Sequence, residues 1–439
     1  MTDATADRKP IPARAVAAVA IGNFLEFYDF IVYSFFAVMI GRVFFPAAAM
    51  APGMSPSEAE WISLLASVGV FGAGFVTRPL GAAIIGAYAD RVGRKAALTF
   101  TLFLMAIGTA IMAFTPGYAQ IGIAAPVLLV IGRLIQGFSA GGEVGPATTY
   151  LLEAAPPERR ASMTAWQGIT QMMAGSAGSG LGLILAANLS EAELYDWGWR
   201  VPFMVGLLVA PVGLYVRMTL PETLDANTAH DSGWAVLRTL FTKHWDAVLL
   251  AVLCIVGPTV STYVSGYMTT YAIKTLGQPA DVAMYLQFTS YIAGLAGIPI
   301  GAWIADRTGA RIAVVVPRTL FCMIVFPAYQ VMTAAGATLD TLILVNVGLN
   351  FILALANGGL YVLITQVFPM AVRSSGLSLG YAIAVTVFGG TTQLAITWLI
   401  GQFGDPLVPA WYQIAANAVS ILAVLAIPAA AEVGRAARN

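Results

Sequence analysis

The sequence predicts an all-α membrane protein of twelve transmembrane helices arranged as two six-helix halves. Three observations carry that prediction. The 439 residues are 59% hydrophobic and only 10% charged, against roughly 25% charged in an average soluble chain. Apolar stretches long enough to cross about 30 Å of hydrocarbon, which takes ~20 helical residues, recur at 15–41, 60–88, 97–115, 123–152, 161–187, 199–218, 246–272, 281–305, 311–335, 340–367, 374–400 and 409–431. Landmarks in the first six stretches also return, at a nearly constant offset, in the last six, as expected of a duplicated unit. The formal net charge is zero, so composition gives no reason to expect a nucleic-acid partner.

The first span carries two carboxylates, Glu26 and Asp29, within Gly22-Asn-Phe-Leu-Glu-Phe-Tyr-Asp-Phe. Three residues apart, they share one helix face. An ionised carboxylate at mid-membrane costs at least ~2.5–3.5 kcal/mol. Both are therefore expected to face the bundle interior and to change protonation state, with Asn23 one turn earlier as a substrate contact.

Span two holds Arg78 in Arg-Pro-Leu-Gly, and a carboxylate of span one or four is one partner for it; substrate is the other. The loop to span three reads Gly86-Ala-Tyr-Ala-Asp90-Arg91-Val-Gly93-Arg94-Lys95, and Asp90 with Arg94 reads as a conformation-dependent latch. Span four puts Arg133 about ten residues, roughly 15 Å, into the membrane. Arginine keeps its proton in a protein, so Arg133 needs an anion: a span-one carboxylate, a substrate carboxylate, or each in turn. Gln136 and Glu143 share its arc. Glu143 reads as an exit acid or as the partner of Arg78. Span five presents Gln167 and Gln171 on one face, above Gly175, Gly178 and Gly182.

The longest connection, Pro221 to His244, is polar and carries both histidines, His230 and His244, read as solvated loop residues. It divides the chain into 1–218, a linker at 219–245, and 246–439. Beyond it, span seven carries Thr259, Tyr263, Tyr267 and Tyr271 at i, i+4 spacing. Span ten carries Asn346, Asn350, Asn357 and Tyr361, and span eleven Gly389-Gly390 before Gln393. Tyr263, Tyr267 and Asn357 are the substrate contacts expected from this half. The loop after span eight, Ala302-Trp-Ile-Ala-Asp306-Arg307-Thr-Gly309-Ala-Arg311, echoes the one after span two and nominates Asp306 and Arg307 as a second latch. Arg318, two turns into span nine, is expected to snorkel to the surface. Cys254 and Cys322 lie in spans without metal or disulfide spacing and read as small buried hydrophobes.

Cations are lopsided. Arg8, Lys9, Arg14, Arg91, Arg94, Lys95, Arg159, Arg160, Arg307 and Arg311 fall on one side; Arg42, Arg200 and Lys274 fall on the other. The positive-inside rule makes the first side cytoplasmic, with both termini there. The first half thus offers titratable groups and fixed cations, the second hydroxyls and amides. That asymmetry places proton coupling and anion capture in one half and hydrogen-bond selection in the other. No span contains a histidine, and no Cys/His cluster or phosphate-binding Gly-rich loop is present, so neither an enzyme nor an ATP-driven pump is expected.

The Gly86-to-Lys95 string resembles the signature loop of the major facilitator superfamily. The strings Gly22 to Phe30, Arg78-Pro-Leu-Gly81, Gly132-Arg-Leu-Ile-Gln-Gly-Phe-Ser-Ala-Gly-Gly-Glu143 and Trp197-Gly-Trp-Arg-Val-Pro202 are similar to those of its metabolite:proton symporters. In the second half Ala302 and Ala310 depart from the signature loop's Gly and Arg. The resemblance implies a proton-coupled symporter importing a small organic anion across a bacterial-type inner membrane. It would work as a monomer in the bilayer, without a cofactor or metal, the proton being the coupling ion. A tricarboxylate such as citrate comes first among the substrates implied. 2-Oxoglutarate, shikimate and betaine or proline stand beside it, and a drug:proton antiporter is the rival. That rival's usual Gly-Pro-x-x-Gly run in span five is missing here.

Overall fold

The first span does not run straight. Helix α1 (Ala13–Phe35) breaks at Phe36 and continues as Ala37–Phe44 after a 67° bend. The computed structural model to which it belongs describes residues 13–47, 53–92, 94–142, 148, 151–152, 155–208, 211, 238–240, 242–369 and 372–427. Side chains at 13–20 and at several positions between 86 and 98 also fall outside the description.

Eleven further helical segments follow among the described residues. Helix α2 opens at Pro56 behind a Ser55/Glu58 capping box and runs Pro56–Val76, then Arg78–Val92 after a break at Thr77. A serine cap with Glu three residues on satisfies two orphan N–H groups, and Pro at the first turn loses nothing. Next come α3 (Arg94–Phe114), α4 (Ala124–Ser139), α5 (Arg160–Asn188) and α6 (201–208). The second half comprises α7 (Trp245–Gly266, then Met268–Lys274), α8 (Ala280–Thr308), α9 (Ala310–Thr333), α10 (Leu339–Asn357, then Leu360–Gln366), α11 (Arg373–Phe403) and α12 (Val408–Ala426). Helix α11 carries one π turn at Val385–Gly389, against which the backbone of α2 packs: the Thr386 hydroxyl donates to the Phe75 carbonyl. Such π bulges recur at functional positions.

Among the described residues a helix stands at each of the twelve expected positions, six on each side of the long connection, and eight of them, or nine with the bent first pair taken as one, are long and apolar enough to cross a membrane. The connection itself lies largely outside the described residues, as do Glu143 and the side chains of Asp90 and Arg94. Arg159, Arg160 and Arg307 mark the near face of the bundle, and Arg42 and Lys274 the far face.

Candidate substrate site and coupling network

Helices α2 and α4 cross backbone to backbone. A Cβ on Gly137 would stand 1.5 Å from the Gly74 carbonyl oxygen, so only glycine fits there. The crossing brings Arg78 and Arg133 to one aromatic ring. The Arg133 guanidinium lies 4.2 Å from the Phe30 ring centre and the Arg78 guanidinium 4.5 Å from it. Tyr33 and Phe71 cover Arg133 at 4.7 and 5.1 Å, and Phe75 covers Arg78 at 4.8 Å. Cation–π contacts of this kind contribute up to ~2 kcal/mol when dry, but they do not neutralise charge. Among the described residues no carboxylate lies within ion-pair distance of either arginine. Nε of both, and Nη2 of Arg133, have no hydrogen-bond partner among those residues. Arg133 is 0% exposed.

Of the anions open to Arg133, a span-one carboxylate is not in direct contact with it here. Arg133 Nη1 instead donates to Gln136 Oε1 (2.8 Å), Gln136 Nε2 donates to the Thr109 hydroxyl (3.0 Å), and that hydroxyl donates to Asp29 Oδ2 (2.8 Å). One helix turn on α4 and one threonine on α3 bridge a gap too wide for an ion pair. Asp29 Oδ1 has no partner among the described residues and packs against Gly206, where a Cβ would stand 2.2 Å away. Glu26 is buried on the same helix one turn earlier.

Between the halves lies a cavity of about 70 Å³. Its polar lining is Gln171 from α5, Thr259, Thr262 and Tyr263 from α7, Asn357 and Tyr361 from α10, and Tyr381 from α11. The Tyr263 ring is the wall between this cavity and the arginines, packing edge-on against Phe75 (5.2 Å) and Phe71 (6.0 Å). Arg78 and Arg133 therefore stand behind Tyr263, not on the cavity surface. A small-molecule pocket normally measures ~300–1,000 Å³, so this cavity is contracted.

Ties between the halves lie on both sides of it. On the far side the Ser34 hydroxyl donates to the Gly266 carbonyl (3.0 Å) and accepts from Gln393 Nε2, which within the second half also donates to the Tyr263 carbonyl. Farther out, Glu60 joins Arg42 (3.1 Å) and Lys274 (2.5 Å). On the near side Asp306 reaches across to the start of α5. It accepts from Ala161 N (2.8 Å), Ser162 N (3.0 Å) and the Ser162 hydroxyl.

Of the residues nominated from sequence, Gln171, Tyr263 and Asn357 come together on the cavity wall. Others are committed elsewhere. Asn23 and Gln167 hold each other: Gln167 Nε2 donates to Asn23 Oδ1 and Asn23 Nδ2 to the Gln167 carbonyl, both at 2.9 Å, which ties α1 to α5. The Gln136 amide is consumed by Arg133 and Thr109. Tyr267 faces α11, accepting from the Thr397 hydroxyl, and Tyr271 donates to the Pro406 carbonyl. The second latch pairs Asp306 with a helix N-terminus, while Arg307 stacks on Trp303 at 3.7 Å, exposed. Arg318 does not snorkel; it is 0% exposed and donates to the Ser420 hydroxyl (2.6 Å) and to Asn357 Oδ1 (3.4 Å). Sequence reasoning missed Thr109, the rings of Phe30, Tyr33, Phe71 and Phe75, Glu60, and Tyr381. Only Thr109 carried a signal, as a polar residue within an apolar stretch.

Residues 15–240 match the family model described as sugar (and other) transporter. A citrate-proton symporter of Klebsiella pneumoniae is 35% identical over 412 residues, covering 93% of this chain and 90% of that protein. A proline/betaine transporter of Escherichia coli (strain K12) is 29% identical over 425 residues, covering 93% and 82%. The xylose transporter XylE from E. coli, solved in a partially occluded inward open conformation, superposes with a TM-score of 0.72 at 16% identity, over 94% of this chain and 97% of that one.

Proposed function

Given that this chain belongs to the major facilitator superfamily, in the family described as sugar (and other) transporters, we propose that it is a proton-coupled symporter importing a small organic polyanion, citrate first. The observation that carries this reading is the pair of buried guanidiniums around Phe30, with N–H donors that meet no partner among the described residues. Two permanent cations in a low-dielectric site favour carboxylates and repel the ammonium of betaine or proline. They also fit the relative that carries citrate better than the one that carries proline and betaine. The forked guanidinium gives each arginine a bidentate grip on a carboxylate.

An imported anion must bring positive charge with it. Moving one negative charge inward against 100 mV costs about 2.3 kcal/mol. About three protons make a tricarboxylate electroneutral, and Asp29 and Glu26 are the buried groups that would carry some of them. By the positive-inside rule the near face is cytoplasmic, with both chain ends there; the reading is of an inner-membrane transporter working as a monomer. The contracted cavity, tied off on both sides, then corresponds to a partly occluded intermediate of alternating access. Substrate reaches the arginines when Tyr263 swings off Phe71 and Phe75.

The test is uptake of labelled citrate into proteoliposomes under an imposed inward proton gradient, competed by 2-oxoglutarate, shikimate and betaine. Citrate accumulation blocked by polycarboxylates and not by betaine supports the reading; uptake indifferent to the gradient, or blocked by betaine alone, overturns it.

A further inference from the structure

Four buried side chains from three helices make one unbroken run of hydrogen bonds: Arg133 to Gln136, Gln136 to Thr109, Thr109 to Asp29. Every donor in it points the same way, toward the carboxylate. We propose that Thr109 and Gln136 are positioning residues that report the protonation state of Asp29 to Arg133 by reversing that direction, an inference that rests on Asp29 being a coupling carboxylate.

The argument is a count of donors. A hydroxyl has one hydrogen, and a guanidinium only donates. With Asp29 ionised, the Thr109 hydrogen goes to Oδ2, which leaves Thr109 Oγ1 to accept from the Gln136 amide NH₂. The amide oxygen must then face Arg133, and it holds Nη1. Neutral Asp29 has one acidic hydrogen to place. Oδ1 packs against Gly206 and meets no acceptor among the described residues, so the hydrogen sits on Oδ2 and points at Thr109 Oγ1. The threonine hydrogen has to turn away. Turned to Gln136, it requires the amide oxygen, and the amide rotates. The NH₂ now faces Arg133, donor against donor, and the guanidinium is released toward a substrate carboxylate. Chains of this kind are cooperative, each bond polarising the next.

The surroundings leave the signal little competition. Among the described residues, the charged and titratable groups around Asp29 are Tyr28 and, one turn earlier, the buried Glu26 on its own helix, and Arg133 on α4; α3 presents Thr109 and α6 presents Gly206. Tyr28 is occupied as a donor to the Pro202 carbonyl. Arg133 is faced in turn by Tyr33, by Arg78 from α2 and by Tyr263 from α7.

The relay is read without any substrate, by pH-difference infrared spectroscopy of the full-length protein in lipid. The Asp29 acid band is identified by its loss in Asp29→Asn, and the Gln136 side-chain amide band by its loss in Gln136→Met. In the wild type both bands change with one midpoint. In Thr109→Val, which keeps the shape and removes the hydroxyl, the acid band persists and the amide band stops following it; Thr109→Ser restores the coupling. An amide band that is silent in the wild type, or that still tracks Asp29 in Thr109→Val, overturns the relay. An Asp29 band absent at every pH removes the coupling carboxylate and the relay together. In citrate binding at alkaline pH, Gln136→Met should bind about tenfold tighter than wild type, because the restraint on Arg133, one hydrogen bond to a charged group, is gone. Equal or weaker binding counts against release as the mechanism.

Discussion

Adding one methyl group at Gly72 should bias the transporter toward its far-open state. In the structure α2 and α11 meet backbone to backbone where Gly72 faces Gly390. A Cβ on Gly72 would lie 2.3 Å from the Gly390 carbonyl oxygen, and 3.2 Å from its carbonyl carbon. Ordinary contact begins near 3.4 Å, so Gly72→Ala forces the helices apart by about an ångström wherever they are closed. Overpacking of this kind costs ~1–3 kcal/mol. The cost falls only on states in which α2 and α11 touch, so the ratio of far-open to far-closed protein should rise about 5- to 150-fold, at 1.4 kcal/mol per decade. Gly69→Ala is the control, since its Cβ would meet only the Leu394 side chain at 4.0 Å. Nitroxide labels at Ser57 and Gln402, both exposed on the far ends of the two helices, report the change as a longer-distance population in pulsed electron paramagnetic resonance. A distance distribution unchanged in Gly72→Ala would refute the assignment of this crossing as a closing contact. A shift of equal size in Gly69→Ala would show that the effect is not steric.

Asp306→Asn should do the opposite on the near face. The carboxylate accepts three hydrogen bonds at the start of α5, and an amide turns one of its acceptors into a donor facing N–H. With hydrogen bonds to charged groups at ~1.5–3 kcal/mol each, near-face labels should report at least a tenfold gain in open protein. Glu60→Gln should matter little: exposed ion pairs contribute ~0–1 kcal/mol, so uptake should stay within about fivefold of wild type and lose its dependence on external salt. Arg133→Lys should weaken citrate binding more than tenfold in direct binding assays, because a point charge cannot reproduce a bidentate fork. Wild-type affinity there would dismiss Arg133 as an anchor.

The architecture was readable because apolar length and the repeated loops dominate this sequence. That Asp29 and Arg133 lie inside the bundle was readable, because a charge in hydrocarbon needs a reason. How they meet was not, since the link runs through Thr109 on α3, an uncharged residue whose importance depends on helix packing. The tyrosine stripe of α7 shows the same limit. Four residues advance a helix by about 40° beyond a full turn, and α7 breaks after Gly266. Tyr263 therefore reaches the cavity while Tyr267 and Tyr271 turn toward α11 and the far-side loop at Pro406. Arg318 lies deeper than its distance from the helix end suggested, because Ser420 on α12 and Asn357 on α10 give its guanidinium partners inside the bundle.

Coupling between proton and anion is tested most directly by recording internal pH and labelled citrate together in proteoliposomes containing wild type or Asp29→Asn. Wild type should move protons inward with citrate and concentrate it against its gradient. Asp29→Asn should still exchange internal for external citrate, yet bring in fewer protons per citrate and fail to concentrate it. Full accumulation with an unchanged proton count in Asp29→Asn would contradict the account.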